Sequence, residues 1–320
     1  MQIVIEKNLA YNTLALSEIA HALNAEGIKF DVIWDEGRRV CLDVSRADIV
    51  HTASRLGLAR RCFAVLKIGT LEEVLGFADS IRVDGTFCVR AEHNPELEKT
   101  LGAKINGIVS LENPEVLFFV FPRGSNFYFC KKLWEIDNRA YFLREVKNRP
   151  FFMPVSIHPK IARAMVNLAE VRAGDCVLDP FCGTGGILIE AGLVGANVIG
   201  NDIRKDIIAG ARKNLLAYGV QKFELTCGDV GVLSQKLKCV DAIITDPPYG
   251  RSATTMGESC DTLLQRAFKV FSELLSTNKH LVIVLPGQPV EQISNFQLIE
   301  VHQVYVHKSL TRYICLYRKE

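Results

Sequence analysis

Val177-Leu178-Asp179-Pro180-Phe181-Cys182-Gly183-Thr184-Gly185-Gly186 runs from a short apolar strand, through a turn with three glycines, into the helical pattern of Leu188 and Ala191. A strand, a glycine loop and a helix in that order open a nucleotide-binding α/β sheet. Glycine lets the backbone turn tightly and leaves room for a ligand, while the free N–H groups at the helix start favour an anionic group.

Working outward, short apolar strands keep alternating with helical patterns to the end of the chain. Asn197-Val198-Ile199-Gly200 is a second strand, followed by a helix from Lys205 to Tyr218 that Gly219 stops. Phe223 to Thr226 and Ala242 to Ile244 are further strands. Leu264, Ala267, Phe268 and Phe271 recur at helical spacing in a helix from Leu263 to Leu275. A fifth strand, Leu281 to Leu285, is halted by Pro286-Gly287, and Leu298 to Val306 with Tyr313 to Tyr317 are expected as an antiparallel pair at one edge.

Upstream the pattern changes. Gln2 to Glu6 reads as a strand, Ser17 to Leu23 as a helix, and strands are expected around Phe30 and Val40, making a small α+β unit. A second unit runs from about Ala64 to Leu133, with a strand at Thr86 to Ala91 and a helix at Pro95 to Ile105. Glu135 to Pro159 is charged, aromatic and proline-bearing, a connector partly helical through Phe142. The expected division is 1–60, 61–134, a linker at 135–159, and a catalytic domain at 160–320.

The loop's chemistry narrows its ligand. Gly183-Thr184-Gly185-Gly186 has no third glycine at the dinucleotide position, and Asp179 stands immediately before the turn. A carboxylate there is poorly placed beside a pyrophosphate and suits a cationic amino group, which S-adenosylmethionine carries. Asp202, ending the second strand, is placed to hold a ribose diol. Asp229, after the third strand, either accepts from an adenine amine or caps a turn. Pro180, Phe181, Gly183, Thr184 and Gly185 complete the expected cofactor loop, with Cys182 as a small loop residue rather than a nucleophile.

Asp246-Pro247-Pro248-Tyr249 follows the fourth strand. The tetrapeptide alone is ordinary turn chemistry, but paired with the glycine loop it reads as a methyl-transfer site. A nucleobase amine is a poor nucleophile because its lone pair is delocalised into the ring. The Asp246 carboxylate and the Pro247 carbonyl can each accept an amine N–H and aim that lone pair at the methyl. Proline fixes φ and brings no competing donor. Tyr249 offers a face for base stacking, worth about 1–3 kcal/mol at comparable sites. A paired base must be flipped or already unpaired to enter, and Arg251, Ser252, Thr254 and Thr255 form a polar loop that suits either a lid or a plain surface loop.

Composition bounds these readings. At 320 residues and 48% hydrophobic, the chain buries a large core and holds two or three domains. No apolar run reaches the ~18 residues of a membrane span and no signal peptide opens the chain, so the expected location is the cytoplasm. Ten cysteines without a C-x-x-C pair indicate neither a disulfide framework nor a metal site. A net charge of +2 leaves nucleic-acid binding to local patches, with Arg38, Arg39, Arg60, Arg61, Lys131 and Lys132 as candidates.

With both motifs in hand, the chain resembles the archaeal tRNA guanosine-10 N2-methyltransferases, which combine a THUMP domain with a Rossmann-like methyltransferase. Val177 to Gly186 and Asp246 to Gly250 resemble the family's cofactor and catalytic motifs, and Arg149 to Lys160 its lead-in segment. His307-Lys308-Ser309-Leu310-Thr311-Arg312 is similar to its C-terminal hairpin signature. Gly85 to Ala91 and Leu101 to Ile105 resemble THUMP segments, preceded by a ferredoxin-like unit, while Val109-Ser110-Leu111 departs from the basic strand expected there.

The resemblance implies an α/β Rossmann-like methyltransferase sheet with an added C-terminal hairpin, preceded by α+β ferredoxin-like and THUMP units. It implies S-adenosylmethionine as cofactor, tRNA as partner, and one or two methyl transfers to guanine N2, with Arg312 and Ser309 near the nucleotide. The expected state is a monomer, with a small activating subunit left open. His158 and His307 are read as packing or phosphate-contacting residues. The alternatives are another tRNA or rRNA guanosine, or DNA, as substrate, and a non-catalytic RNA-binding scaffold.

Overall fold

The computed structural model describes residues 1–45, 49–153, 156–248, 258–289, 292–307 and 310–320. Two compact units emerge, one of Met1–Ala10, Ile28–Ser54 and Ala59–Ile136, the other of Tyr11–Gly27, Arg55–Leu58 and Asp137–Glu320. In chain order the elements are β1 (Gln2–Lys7), α1 (Asn12–Ala25), β2 (Phe30–Glu36), β3 (Arg39–Val44), α2 (Ile49–Ser54), β4 (Ala59–Gly69), α3 (Leu71–Asp79), β5 (Arg82–Ala91), α4 (Pro95–Lys104), β6 (Asn106–Val109), β7 (Val116–Arg123), β8 (Asn126–Glu135) and α5 (Asn138–Leu143). Then come α6 (Pro159–Leu168), β9 (Cys176–Asp179), α7 (Gly186–Leu193), β10 (Asn197–Asp202), α8 (Lys205–Ala217), β11 (Phe223–Cys227), α9 (Leu233–Lys236), β12 (Val240–Thr245), α10 (Cys260–Leu274), β13 (Leu275–Leu285), β14 (Gln292–Ile293), β15 (Phe296–His307) and β16 (Leu310–Lys319).

In the first unit one sheet runs β2-β3-β1-β4-β8-β7-β5-β6. Because β4 is long enough to pair with β1 on one edge and β8 on the other, the two expected N-terminal units share this sheet, and the boundary expected after residue 60 falls inside a strand. Side chains alternate between its faces. Phe87, Phe118 and Phe129 pack with Val74 of α3 and Leu97 and Leu101 of α4. Trp34, Phe63, Phe119, Phe121 and Tyr128 make the other cluster. Over it lie the Arg39 guanidinium, 4.4 Å from the Phe121 ring centre, and that of Arg61, 5.3 Å from Phe119. Both arginines pair with Glu6, and Arg39 also with Glu92 at 2.6 Å, so these two candidate phosphate contacts are held in an ion network.

The second unit's sheet runs β11-β10-β9-β12-β13-β16-β15-β14. Its first five strands pair parallel, and the C-terminal hairpin adds antiparallel with β16 lying between β13 and β15. Burial on both faces explains the continuous apolar runs. Val177, Ile244 and Val282 join Met165 of α6 and Leu188 of α7 on one side, while Leu178, Ile243 and Ile283 join Ala267 and Phe271 of α10 on the other. β13 starts at Leu275, straight out of α10, six residues before the expected strand.

Helix α1, expected in the N-terminal unit, groups with this second unit. Its buried Glu18 accepts from the backbone N–H groups of Gly57 at 2.6 Å and Leu58 at 2.8 Å, and from Asn167 Nδ2 at 2.8 Å. His21, one turn on, bridges Glu170 at 2.8 Å and Glu300 at 3.2 Å. Among the described residues no helix is long and apolar enough to cross a membrane.

The sheet order also places a crevice. The chain starts at β9 in the middle, builds outward to β10 and β11, then returns to the other side with β12. Where strand order reverses, neighbouring connections leave in opposite directions and open a cleft beyond the strands' C-terminal ends.

Candidate active site

Four aspartates come off the C-terminal ends of four neighbouring strands in the second unit. Asp179 ends β9, Asp202 ends β10, Asp229 lies two residues beyond β11, and Asp246 follows β12 directly. All four line one cavity of about 430 Å³, together with Pro180, Phe181, Gly183, Thr184 and Pro247. Gly185 is not on its wall. It caps α7 at φ +82°, and Gly183 sits at φ +49°, left-handed conformations that cost other residues roughly 1–2 kcal/mol. Tyr249, with Arg251, Ser252, Thr254 and Thr255, lies outside the described residues, as does Ser309; of His307 only the backbone is described.

Asp179 is buried, and burial pushes its carboxyl up to about 7, helped by the neighbouring charges of Asp246 and Asp202. Two donors offset this, the Thr245 hydroxyl at 2.7 Å and the Phe181 N–H at 3.2 Å. A buried carboxylate facing two others across a cavity is short of positive charge, and a ligand's ammonium group fits that deficit. Asp202 accepts from Arg204 N at 2.9 Å and Gly183 N at 3.2 Å, which tie its carboxylate to the glycine loop, while burial raises it above the ordinary range.

Asp229 caps the short helical turn that follows, the second of the two roles expected of it, by accepting from Gly231 N at 2.8 Å, and it also lines the cavity. The loops themselves are stitched by Asn201, whose amide donates to Pro180 O at 3.2 Å and Gly228 O at 3.0 Å.

The lead-in segment closes on the glycine loop. Thr184 Oγ1 accepts from Arg149 at 3.3 Å and meets Ser156 Oγ at 3.1 Å. Asn214 of α8 accepts from Phe151 N at 2.8 Å and donates to Phe151 O and Thr184 O, each at 3.0 Å. Gly210 leaves the space that the Phe151 ring fills. His158 caps α6, accepting from Lys160 N at 3.2 Å, and partial desolvation lowers its pKa. Burial raises the Cys182 thiol well up, which suits a loop filler and not a nucleophile.

A family model for an RMKL-like methyltransferase domain matches residues 147–314. The tRNA (guanine(10)-N2)-dimethyltransferase of Methanothermobacter thermautotrophicus is 34% identical over 331 residues, covering 98% of this chain and 98% of its own. The chain belongs to that family. A second member, from Pyrococcus abyssi, is 36% identical over 299 residues, with 86% and 88% coverage. The crystal structure of TrmN from Thermus thermophilus aligns over 100% of both chains with a TM-score of 0.56 at 22% identity, a likeness of fold.

The methyltransferase site holds charged residues that sequence reasoning missed or placed only by resemblance. Arg312, on β16, brings its guanidinium to 3.6 Å from Asp246. Arg266, on α10, grips Asp229 at 2.8 and 3.0 Å and Glu258 at 2.9 and 2.8 Å. The signal for Arg266 and Glu258 is faint: an i,i+8 charge pair has no local meaning until α10 folds beside the β11 loop.

Proposed function

We propose that this protein transfers methyl groups from S-adenosylmethionine to the exocyclic N2 of guanosine 10 in tRNA, twice in succession. The observation that carries this reading is Asp246 and Pro247 opening onto the same cavity as the buried, charge-deficient Asp179. Asp179 takes the cofactor's ammonium group, Asp202 its ribose hydroxyls and Asp229 its adenine amine. The bound cofactor supplies an electrophilic methyl on a sulfonium.

The chain's own residues then position the acceptor. The Asp246 carboxylate and the Pro247 carbonyl accept the two N–H groups of the guanine amine, turning its lone pair toward the methyl, and Asp246 takes the proton released on alkylation. Most of the rate comes from this alignment. Tyr249 stacks on the base. The first unit is read as ferredoxin-like and THUMP segments that bind folded tRNA, acting in the cytoplasm as a monomer, and the names of the archaeal relatives support two transfers.

Incubation with an unmodified tRNA transcript, ribosomal RNA or duplex DNA, followed by mass analysis of the nucleosides, tests the reading. N2-dimethylguanosine at position 10 of tRNA is expected. Methylated adenine or cytosine, or guanosine modified only elsewhere, overturns the substrate assignment.

A further inference from the structure

The start of α10 touches two parts of the site at once. Arg266, two turns into the helix, spreads one guanidinium over two carboxylates: Nη1 and Nη2 reach Asp229 at 2.8 and 3.0 Å, and Nε and Nη2 reach Glu258 at 2.9 and 2.8 Å. Double bidentate geometry is more directional than an ordinary surface pair, since the planar fork fixes both carboxylates. Asp229 is held below the usual carboxylate range by Arg266 first of all. Glu258 sits just before the helix, where Ser259 caps the N-terminus by accepting from Thr262 N at 3.1 Å. Cys260, the first residue of α10, points its thiol at Pro248 O, 3.9 Å away.

One rigid element therefore spans the distance from Asp229, at the end assigned to adenine, to Pro248, the second proline of the catalytic motif. We propose that Arg266 is a positioning residue that couples the adenine end of the cofactor site to the Asp246–Pro248 segment, so that cofactor and RNA strengthen each other's binding through α10. When an adenine amine shares the Asp229 carboxylate, Arg266 keeps that carboxylate oriented and holds Glu258, and with it the helix start beside Pro248. Linkage makes the effect reciprocal: whatever factor the RNA lends to cofactor affinity, the cofactor lends to RNA affinity. This rests on the reading of Asp229 as the adenine acceptor.

Titration calorimetry of S-adenosylhomocysteine into the full-length protein, with and without saturating unmodified tRNA transcript, tests it. In the unaltered protein tRNA is expected to tighten S-adenosylhomocysteine on the order of tenfold. Arg266→Met should weaken S-adenosylhomocysteine alone and remove the tRNA effect. Arg266→Lys, which keeps the charge but not the fork, should recover affinity without recovering the coupling. Glu258→Gln supplies the same test from the other end if Arg266→Met does not fold, and should also lose the coupling. An unaltered protein without coupling, or variants that keep it in full, overturns the proposal. Asp229→Asn separates the two layers: unchanged S-adenosylhomocysteine affinity defeats the adenine reading itself, whereas weakened affinity alongside intact coupling in Arg266→Met defeats only the role of Arg266.

Discussion

Glu18 and Asp179 are both carboxylates buried from solvent in the second unit, and burial raises the pKa of both. Their surroundings differ. Glu18 is filled on every side by protein donors, two backbone N–H groups and an Asn167 amide, with the Arg163 charge nearby. Asp179 has a hydroxyl and one N–H, and its charged neighbours are two more aspartates beside an open cavity. A satisfied buried charge joins pieces of a fold, here α1 to α6; an unsatisfied one at a cleft is completed by a ligand.

The largest expected effect is at the reacting end of the cavity. Asp246→Ala should lower methyl incorporation into tRNA on the order of a thousandfold, with S-adenosylhomocysteine and tRNA affinities nearly unchanged by calorimetry. Full activity would remove Asp246 from the chemistry.

Asp179 and Glu18 should then respond in opposite senses. Asp179→Asn should weaken S-adenosylhomocysteine on the order of tenfold to a hundredfold, yet stabilise the ligand-free protein at pH 8 by about 1–3 kcal/mol, because an uncompensated buried charge is gone. Glu18→Ala should instead cost about 3 kcal/mol in denaturant unfolding, by orphaning the Gly57 and Leu58 N–H groups. Equal destabilisation by both variants would erase the distinction.

The same contrast has a pH signature. Asp179 must be ionised to take an ammonium group, so S-adenosylhomocysteine affinity should fall as pH drops through about 7, and Asp179→Asn should flatten that slope. Its folded pKa exceeds the unfolded value, so the ligand-free fold binds the extra proton between about 4 and 7 and loses stability as pH rises across that window.

His21 shows the satisfied case in a base. Glu170 and Glu300 outweigh its burial and raise it to about 9. The stability it contributes, roughly 3 kcal/mol, is fully present below about 6.5 and lost as pH rises through about 9. His21→Ala should remove that slope from unfolding curves taken between pH 6 and 10.

Much of this was legible locally. The strands at Cys176 and Val240 carry apolar runs because both of their faces are buried, and the acids at or just past the ends of these strands and of those at Asn197 and Phe223 stand where parallel strands end. Gly219 stops α8 at φ +76°, as its position in the sequence implies. Helix α3 went unread although Thr70 and Glu73 form a capping box, with Thr70 N donating at 2.7 Å and Glu73 N at 3.3 Å. That signal is local and could have been found.

Other features could not be read locally. The grouping of α1 with the second unit depends on partners far along the chain, with Leu14 and Ala15 in that unit's core and Glu18 meeting Gly57 and Asn167. The commitment of Arg39 and Arg61 to Glu6 over an aromatic face depends on strand neighbours that only the sheet order brings together. Arg312 reaches Asp246 because β16 inserts beside β13 rather than at the edge.

The sequence by itself determined the parallel sheet, its glycine turn and the acids at its strand ends, because periodicity, backbone freedom and side-chain chemistry act within a few residues. Tertiary structure alone decided which of those acids are answered by protein groups and which face the cavity with few of them. Electrostatic satisfaction depends on groups brought together through space: Arg266 and Glu258 on Asp229's side, Arg312 beside Asp246, and two carboxylates facing Asp179.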